Sequence, residues 1–473
     1  MTSSINKKII SLFILFSPII YNYFFRLLPR ETRNLSLYNP DFMNLLLSLL
    51  LTLSLVYIGS QIKIALGLTN ISVSVVCYLF SFFIFDTFFL FLTKHFDLIY
   101  TFIFVNVFWI VIITLRTNTN KKAFLLFVLL LIFFRQYVFE LISSNFSLTP
   151  TIYTVPEESK VWLPSTTNIY EGNYFIGLKK QTSHSGYGLL ISHINAVSTL
   201  IFSKSHMYYF YPFIKNIYYF LTLLFIYEIK SSKVSKIFFI FLFTLVSLNS
   251  HWFRYIFFNS LMMESGVSYF FGVIMYSFVN VQTRKQKYIY SLLLGFLYFS
   301  KQFVAALAIL FIFYALYKKI IHLRVFIISF SGVFFSFFNF LVLGVHLTWI
   351  NYIRFFDSSS NEESTYNYAN FKRVVEQFLI DRPLTYLLLT FFILFLFNSK
   401  NHKTKYIDFI KIILLNTALV FILYIFAWGS EDSADHIGSS YRYFLNIFHL
   451  MIPIFLESLD NFIYRKQVEN VIN

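Results

Sequence analysis

The sequence predicts an all-α, polytopic membrane protein with about 14 transmembrane helices. Composition, the length of the apolar runs and the placement of basic residues carry that prediction. Of 473 residues, 58% are hydrophobic and 13% charged, where a soluble domain carries roughly 25% charged residues. So few charges cannot clothe a water-soluble surface, and the mean hydropathy is +0.67. Apolar runs recur along the whole chain, among them Ile9 to Phe25, Val325 to Gly344 and Ile407 to Ala427. Each is long enough to cross a hydrocarbon core of about 30 Å as a helix.

Taken in order, the runs predict helices near 9–28, 43–60, 71–92, 97–115 and 122–141. Five more fall near 206–227, 234–253, 264–281, 286–300 and 303–318. The last four fall near 323–345, 383–399, 407–428 and 440–459. The first run follows Lys7 and Lys8, and no small-residue cleavage site comes after it. It therefore reads as a retained signal-anchor helix. The single cysteine, Cys77, lies within an apolar run, so no intramolecular disulfide forms.

A net charge of +16 raises the question of nucleic acid, but the basic residues fall in short clusters between apolar runs. That is the pattern of loops retained on the cytoplasmic side of a membrane. Lys7/Lys8, Lys63, the stretches 116–122, 230–236, 284–287, Lys318/Lys319, 400–405 and Arg465/Lys466 all fall on one side. The opposite side collects Glu157, Glu158, Glu171, Asp357, Glu362, Glu363, Glu431, Asp432 and Asp435. Both termini are then cytoplasmic, in an integral plasma or inner membrane. Arg26, Arg30 and Arg33 are the exception, falling on the outer side.

Three longer segments, 142–205, 346–382 and 429–439, face outward in this topology. None is large enough for a separate domain, so they are expected to hold short interfacial helices. Loops gathered on one face are where function concentrates. In the first, Glu157 and Glu158 lie side by side. An arbitrary acidic pair is usually a solvated surface, but a carboxylate held at the membrane surface can take a proton from an acceptor hydroxyl. Lys179, Lys180, His184 and His193 follow, suited to meeting a phosphate or lipid headgroups. Further on, Arg254 and Glu264 sit beside the outer ends of two helices, and Arg442 lies at the mouth of the last helix. Ionisable residues near the hydrocarbon zone are candidate sites.

From about residue 122 onward the chain resembles the GT-C superfamily of bacterial membrane glycosyltransferases, which use polyprenyl-phosphate sugars. The resemblance rests on the order of motifs: Glu157-Glu158, then Tyr170-Glu171-Gly172, then "HSGYGLLISHI" at 184–194. "MMES" around Glu264, "FLYFSKQ" at 296–302 and "SYRYFLNIFHLMIPI" at 440–454 continue the order. The chain departs from the family in having Glu for the usual first Asp, Ser185 after His184 where a double proline is usual, and four helices ahead of the matching one.

The resemblance implies inverting transfer of a sugar from a polyprenyl-phosphate donor to a lipid, glycan or protein acceptor on the outer face. Glu157 or Glu158 would be the general base. Lys179, Lys180, Arg254 and Arg442 would bind the donor phosphate, and Glu171, His184, Tyr187 and Glu264 the substrate. Some family members bind a divalent cation and others do not; no dense carboxylate or histidine cluster in the sequence demands one. Residues 1–121 form helices of unassigned role ahead of the glycosyltransferase-like region 122–473. Two other readings remain open: a Wzy-type polysaccharide polymerase, and a lipid-linked glycan flippase or other transporter.

Overall fold

A computed structural model describes residues 42–93, 96–116, 166–167, 169, 190–200, 207–249, 264–281, 283–300, 302–319, 321–331, 334, 391, 406–422 and 445–472. Among these residues every regular element is helical. In chain order they are α1 (Phe42–Leu66), α2 (Ile71–Thr93), α3 (Leu98–Arg116), α4 (Leu190–Leu200), α5 (Met207–Glu228) and α6 (Lys233–Asn249). They continue with α7 (Glu264–Asn280), α8 (Arg284–Phe296), α9 (Gln302–Tyr317), α10 (Ile407–Ile422) and α11 (Phe448–Ile472). A single 3₁₀ turn at Leu297–Phe299 follows α8. The segment Ile71–Leu90 of α2 and the whole of α3 are long and apolar enough to cross a membrane.

Why these sequences coil into helices follows from their chemistry. α2 is rich in Val, Ile and Phe, which have no strong helix preference of their own. A helix nevertheless pairs every backbone N–H and C=O within the segment, which is the decisive gain where no water is present. The predicted helices near 43–60, 71–92, 97–115, 206–227, 264–281 and 303–318 lie within two residues of α1, α2, α3, α5, α7 and α9 at their starts. α1 continues to Leu66, and the last helix begins at Phe448 and runs to Ile472 rather than 440–459. Predicted helices 9–28, 122–141 and 383–399 fall on residues outside those described, save Phe391.

The chain divides into two compact units. One comprises residues 40–221 and 260–358. Its first turn is set by Gly67, whose φ of +66° is left-handed. The Leu68 N–H bonds the Lys63 carbonyl at 3.0 Å and the Gly67 N–H bonds the Ile64 carbonyl at 3.3 Å. This is the helix-ending pattern that glycine permits without a Cβ penalty. The turn is joined to α8: the Gln286 amide donates to the Gly67 carbonyl, and the hydroxyls of Thr69 and Tyr290 lie 3.1 Å apart. The basic stretch 284–287 and Lys63 therefore share one end of this unit. α3 starts on Asp97, whose carboxylate accepts from the Ile99 N–H at 3.0 Å, an ordinary N-cap.

The core of the unit is aromatic. Tyr218, Tyr269, Phe80, Phe82, Phe83 and Phe102 are its largest fully buried side chains, with Tyr290. Phe270 meets Phe80 edge-on at 5.2 Å and Tyr218 at 6.0 Å. Outside the core, α3 leaves Tyr100, Ile103, Phe104, Val107, Val111 and Leu115 exposed. Their spacing is helical, so they form one uninterrupted apolar stripe.

The other unit comprises residues 1–39, 222–259 and 359–473. In it α6 lies antiparallel to α11: Phe239 meets Phe455 at 4.8 Å and Phe243 stacks on Phe448 at 5.7 Å. Asp460 closes the start of α6, accepting from Ser231 Oγ at 2.7 Å, the Ser232 N–H at 3.0 Å and Ser235 Oγ at 2.6 Å. It serves as a cap supplied by another helix for N–H groups that have no partner within their own. The basic stretch 230–236 is thus tied to the middle of α11, five residues before Arg465. Thr222 Oγ1 and His449 Nε2 lie 2.7 Å apart, both buried.

Helix contact in this protein depends on close approach at Gly59. A Cβ there would stand 2.7 Å from Val75 Cγ2 and 3.3 Å from the Ile71 carbonyl oxygen. Replacing glycine inside a helix recovers up to about 1 kcal/mol of propensity, whereas overpacking costs about 1–3 kcal/mol. Gly59→Leu is expected to lose stability on balance, seen as a lowered midpoint of SDS-induced unfolding.

Candidate functional site

Three polar contacts join α2 to α3 along their length. Tyr78 OH donates to Asn106 Oδ1 at 2.9 Å, Trp109 Nε1 donates to Ser81 Oγ at 3.0 Å, and Thr101 Oγ1 donates to Asp86 Oδ1 at 2.7 Å. All six side chains are buried. Dispersion alone holds apolar helices together when their surroundings are equally apolar, so interhelical hydrogen bonds fix the register. Each contact also spares a buried donor or acceptor the cost of desolvation, about 1–3 kcal/mol.

The last of these rungs is different, because its acceptor is a carboxylate. Asp86 is 1% exposed and lies in a run of phenylalanines, "FFIFDTFF". Its second oxygen, Oδ2, stands 3.0 Å from Nε2 of His193, which is likewise 1% exposed. The approach is a close polar pair rather than a linear hydrogen bond. Phe83, one turn before Asp86, meets the His193 ring edge-on at 5.1 Å. A buried carboxylate is tolerable only where partners surround it, and here α2, α3 and α4 each contribute to the arrangement.

His193 arrives on α4, an 11-residue helix that opens at Leu190, two residues after Gly188. Its residues Leu190 to Ala196 and Val197 are all buried. Segment 142–205 was expected to hold interfacial helices, but this one lies inside the unit. Leu190, Ile191, Ile194, Ala196 and Val197 are buried, and the polar Ser192, His193 and Asn195 are buried with them. α7 passes beside it. A Cβ on Gly266 would meet the Tyr218 ring at 2.7 Å and Ile191 Cδ1 at 3.0 Å. Only glycine lets α7 approach so closely, and the approach brings the helix that begins at Glu264 against the helix that follows "HSGYG".

Of the residues singled out from sequence, Glu264 is the first residue of α7. Glu157, Glu158, Glu171, Lys179, Lys180, His184, Tyr187, Arg254 and Arg442 lie outside the described residues. His193, expected to meet a phosphate, is buried and faces the Asp86 carboxylate at 3.0 Å. Asp86 and Thr101 were missed. The available signal was an acid in the middle of an apolar run, since such a residue marks an interior polar contact. Among the described residues no three His, Cys, Asp or Glu side chains gather, so none of these offers a donor set for the divalent cation that the resemblance allows.

No protein-family profile, curated protein or solved structure matches the chain.

The rungs of the α2–α3 pair differ in what their removal leaves behind. Tyr78→Phe keeps the ring and deprives Asn106 Oδ1 of its donor. The expected loss is about 0.6–1.7 kcal/mol, the range for interhelical bonds in a membrane, read from SDS unfolding midpoints. A gain in stability would contradict the hydrogen bond.

Proposed function

We propose that the chain is a multi-pass membrane glycosyltransferase of GT-C type. It transfers a sugar from a polyprenyl-phosphate donor to an acceptor at the outer membrane surface. The observation that carries the reading is the approach of α7 to α4 at Gly266 and Ile191. Two segments that bear separate motifs of the resemblance, "MMES" and "HSGYGLLISHI", are neighbours in space although about 70 residues apart in the chain. The apolar stripe on α3 supports a lipid-facing surface, because soluble proteins seldom expose such a patch. Basic stretches that charge assigns to the cytoplasmic side also lie near one another in the first unit, where the turn after Lys63 is bonded to Gln286 of 284–287.

The chemistry divides among named residues. Glu157 or Glu158 takes the proton from the acceptor hydroxyl as it attacks the sugar carbon, with inversion there. The donor phosphate departs as an anion, and Lys179, Lys180, Arg254 and Arg442 stabilise its growing charge. Glu171, His184, Tyr187 and Glu264 hold sugar and acceptor hydroxyls. The prenyl tail lies along the aromatic-rich surface of the helices.

The test is sugar transfer by the purified protein in lipid nanodiscs, with a polyprenyl-phosphate sugar as donor and a lipid-linked acceptor. Removing a general base costs about 10²–10⁴-fold in rate. One of Glu157→Gln and Glu158→Gln is expected to show that loss in kcat, with donor KM little changed. Full activity in both variants would sink the base assignment. Consumption of preassembled lipid-linked repeat units instead of the monosaccharide donor would show a polymerase, and unidirectional passage of a lipid-linked glycan without any new glycosidic bond would show a flippase.

A further inference from the structure

The first 121 residues have no part in the motif order of the resemblance, yet α2 from that region packs against α4 and α7, and α3 packs against α4. The contact is made by charge-bearing groups at the least solvated place available to them. Asp86 and His193 are each 1% exposed and 3.0 Å apart. Thr101 holds the other carboxylate oxygen at 2.7 Å, which fixes the plane of the carboxylate and presents Oδ2 to the histidine. Phe83 closes the edge of the imidazole. Asp86 lies some 17 residues beyond Thr69, about 25 Å along α2 from the turn that meets Gln286. The pair therefore stands well removed from the basic cluster along α2, at the place where α4 meets α2.

We infer that Asp86 and His193 form an interhelical latch. It seats α4 on the α2–α3 hairpin, and α4 follows Glu171, Lys179, Lys180, His184 and Tyr187 directly in the chain. Asp86, Thr101 and His193 are positioning residues; none of them touches substrate. The N-terminal helices thereby acquire a role as the platform on which α4 is anchored. The latch itself rests on geometry alone; its consequence for catalysis rests on the glycosyltransferase reading.

Two readouts on the full-length protein in nanodiscs separate these parts. The first is hydrogen exchange by mass spectrometry, which reports local opening of one helix within a folded protein. Asp86→Asn keeps the acceptor for Thr101 and removes the charge. His193→Leu removes the ring nitrogens at similar bulk. Each is expected to speed exchange across Leu190–Leu200 by about tenfold, with α9 unaffected, and the double variant by no more than either single one, since contacting residues are non-additive. His193→Gln, which can restore a donor, is expected to recover much of the protection, and it reports on the same contact if Asp86→Asn does not fold. Unchanged exchange in α4, or effects that simply multiply in the double variant, would overturn the latch.

The second readout is steady-state transfer. A 1 Å misplacement can cost about 100-fold in rate, so Asp86→Asn is expected to lower kcat by about tenfold or more while donor KM stays within about twofold. A loosened α4 with unaltered kcat would overturn the positioning role. Absence of transfer by the parent protein would overturn the proposed function instead, and the exchange data would still decide the latch.

Discussion

A carboxylate inside an apolar helix bundle is the constraint around which the larger unit is organised. Asp86 cannot stay charged among phenylalanines without partners, and it cannot reach water at 1% exposure. Its neighbours are therefore obliged to come to it. α3 brings Thr101, and α4 brings His193. Once those contacts are made, the rotation of three helices about their axes is settled together, because each has one face that must look at the carboxylate. The remaining α2–α3 rungs, Tyr78 to Asn106 and Ser81 to Trp109, follow from the same register.

Each unit also has a polar closure of a different kind at the end where its basic residues lie. In one, a left-handed Gly67 ends α1 and exposes a carbonyl that Gln286 covers. In the other, Asp460 gathers the hydroxyls and the N–H at the start of α6. Both solve the same problem, the unsatisfied backbone groups of a helix terminus, and both use a side chain from elsewhere in the chain. Between these ends the contacts are aromatic, edge-on or stacked, and carry packing rather than direction.

Helix positions were legible because the period of the apolar runs and the helical requirement of an apolar environment agree. Little else was. Helix α4 was hidden within a stretch whose histidines, lysines and glycines suggested surface throughout, although Leu190 to Val197 are all buried. His193 looked like a phosphate contact because its residue type was considered without its burial. Asp86 drew no notice because a lone acid in a run of 20 apolar residues is outvoted in any average of hydropathy, whereas energetically it is the most demanding residue there. Of the candidate site, Glu264 was legible as a helix start, since acids favour the positive end of the helix dipole.

The sequence by itself determined that the chain is strongly apolar, where α1, α2, α3, α5, α7 and α9 begin, and where basic residues cluster along it. These are properties of short windows, and local composition is sufficient for them. Only the tertiary structure decided that Asp86 meets His193 across about 107 residues, that α7 touches α4 at a glycine, and that the α2–α3 hairpin packs against α4. Such pairings depend on which buried polar group finds which partner in three dimensions, and no spacing along the chain encodes that choice.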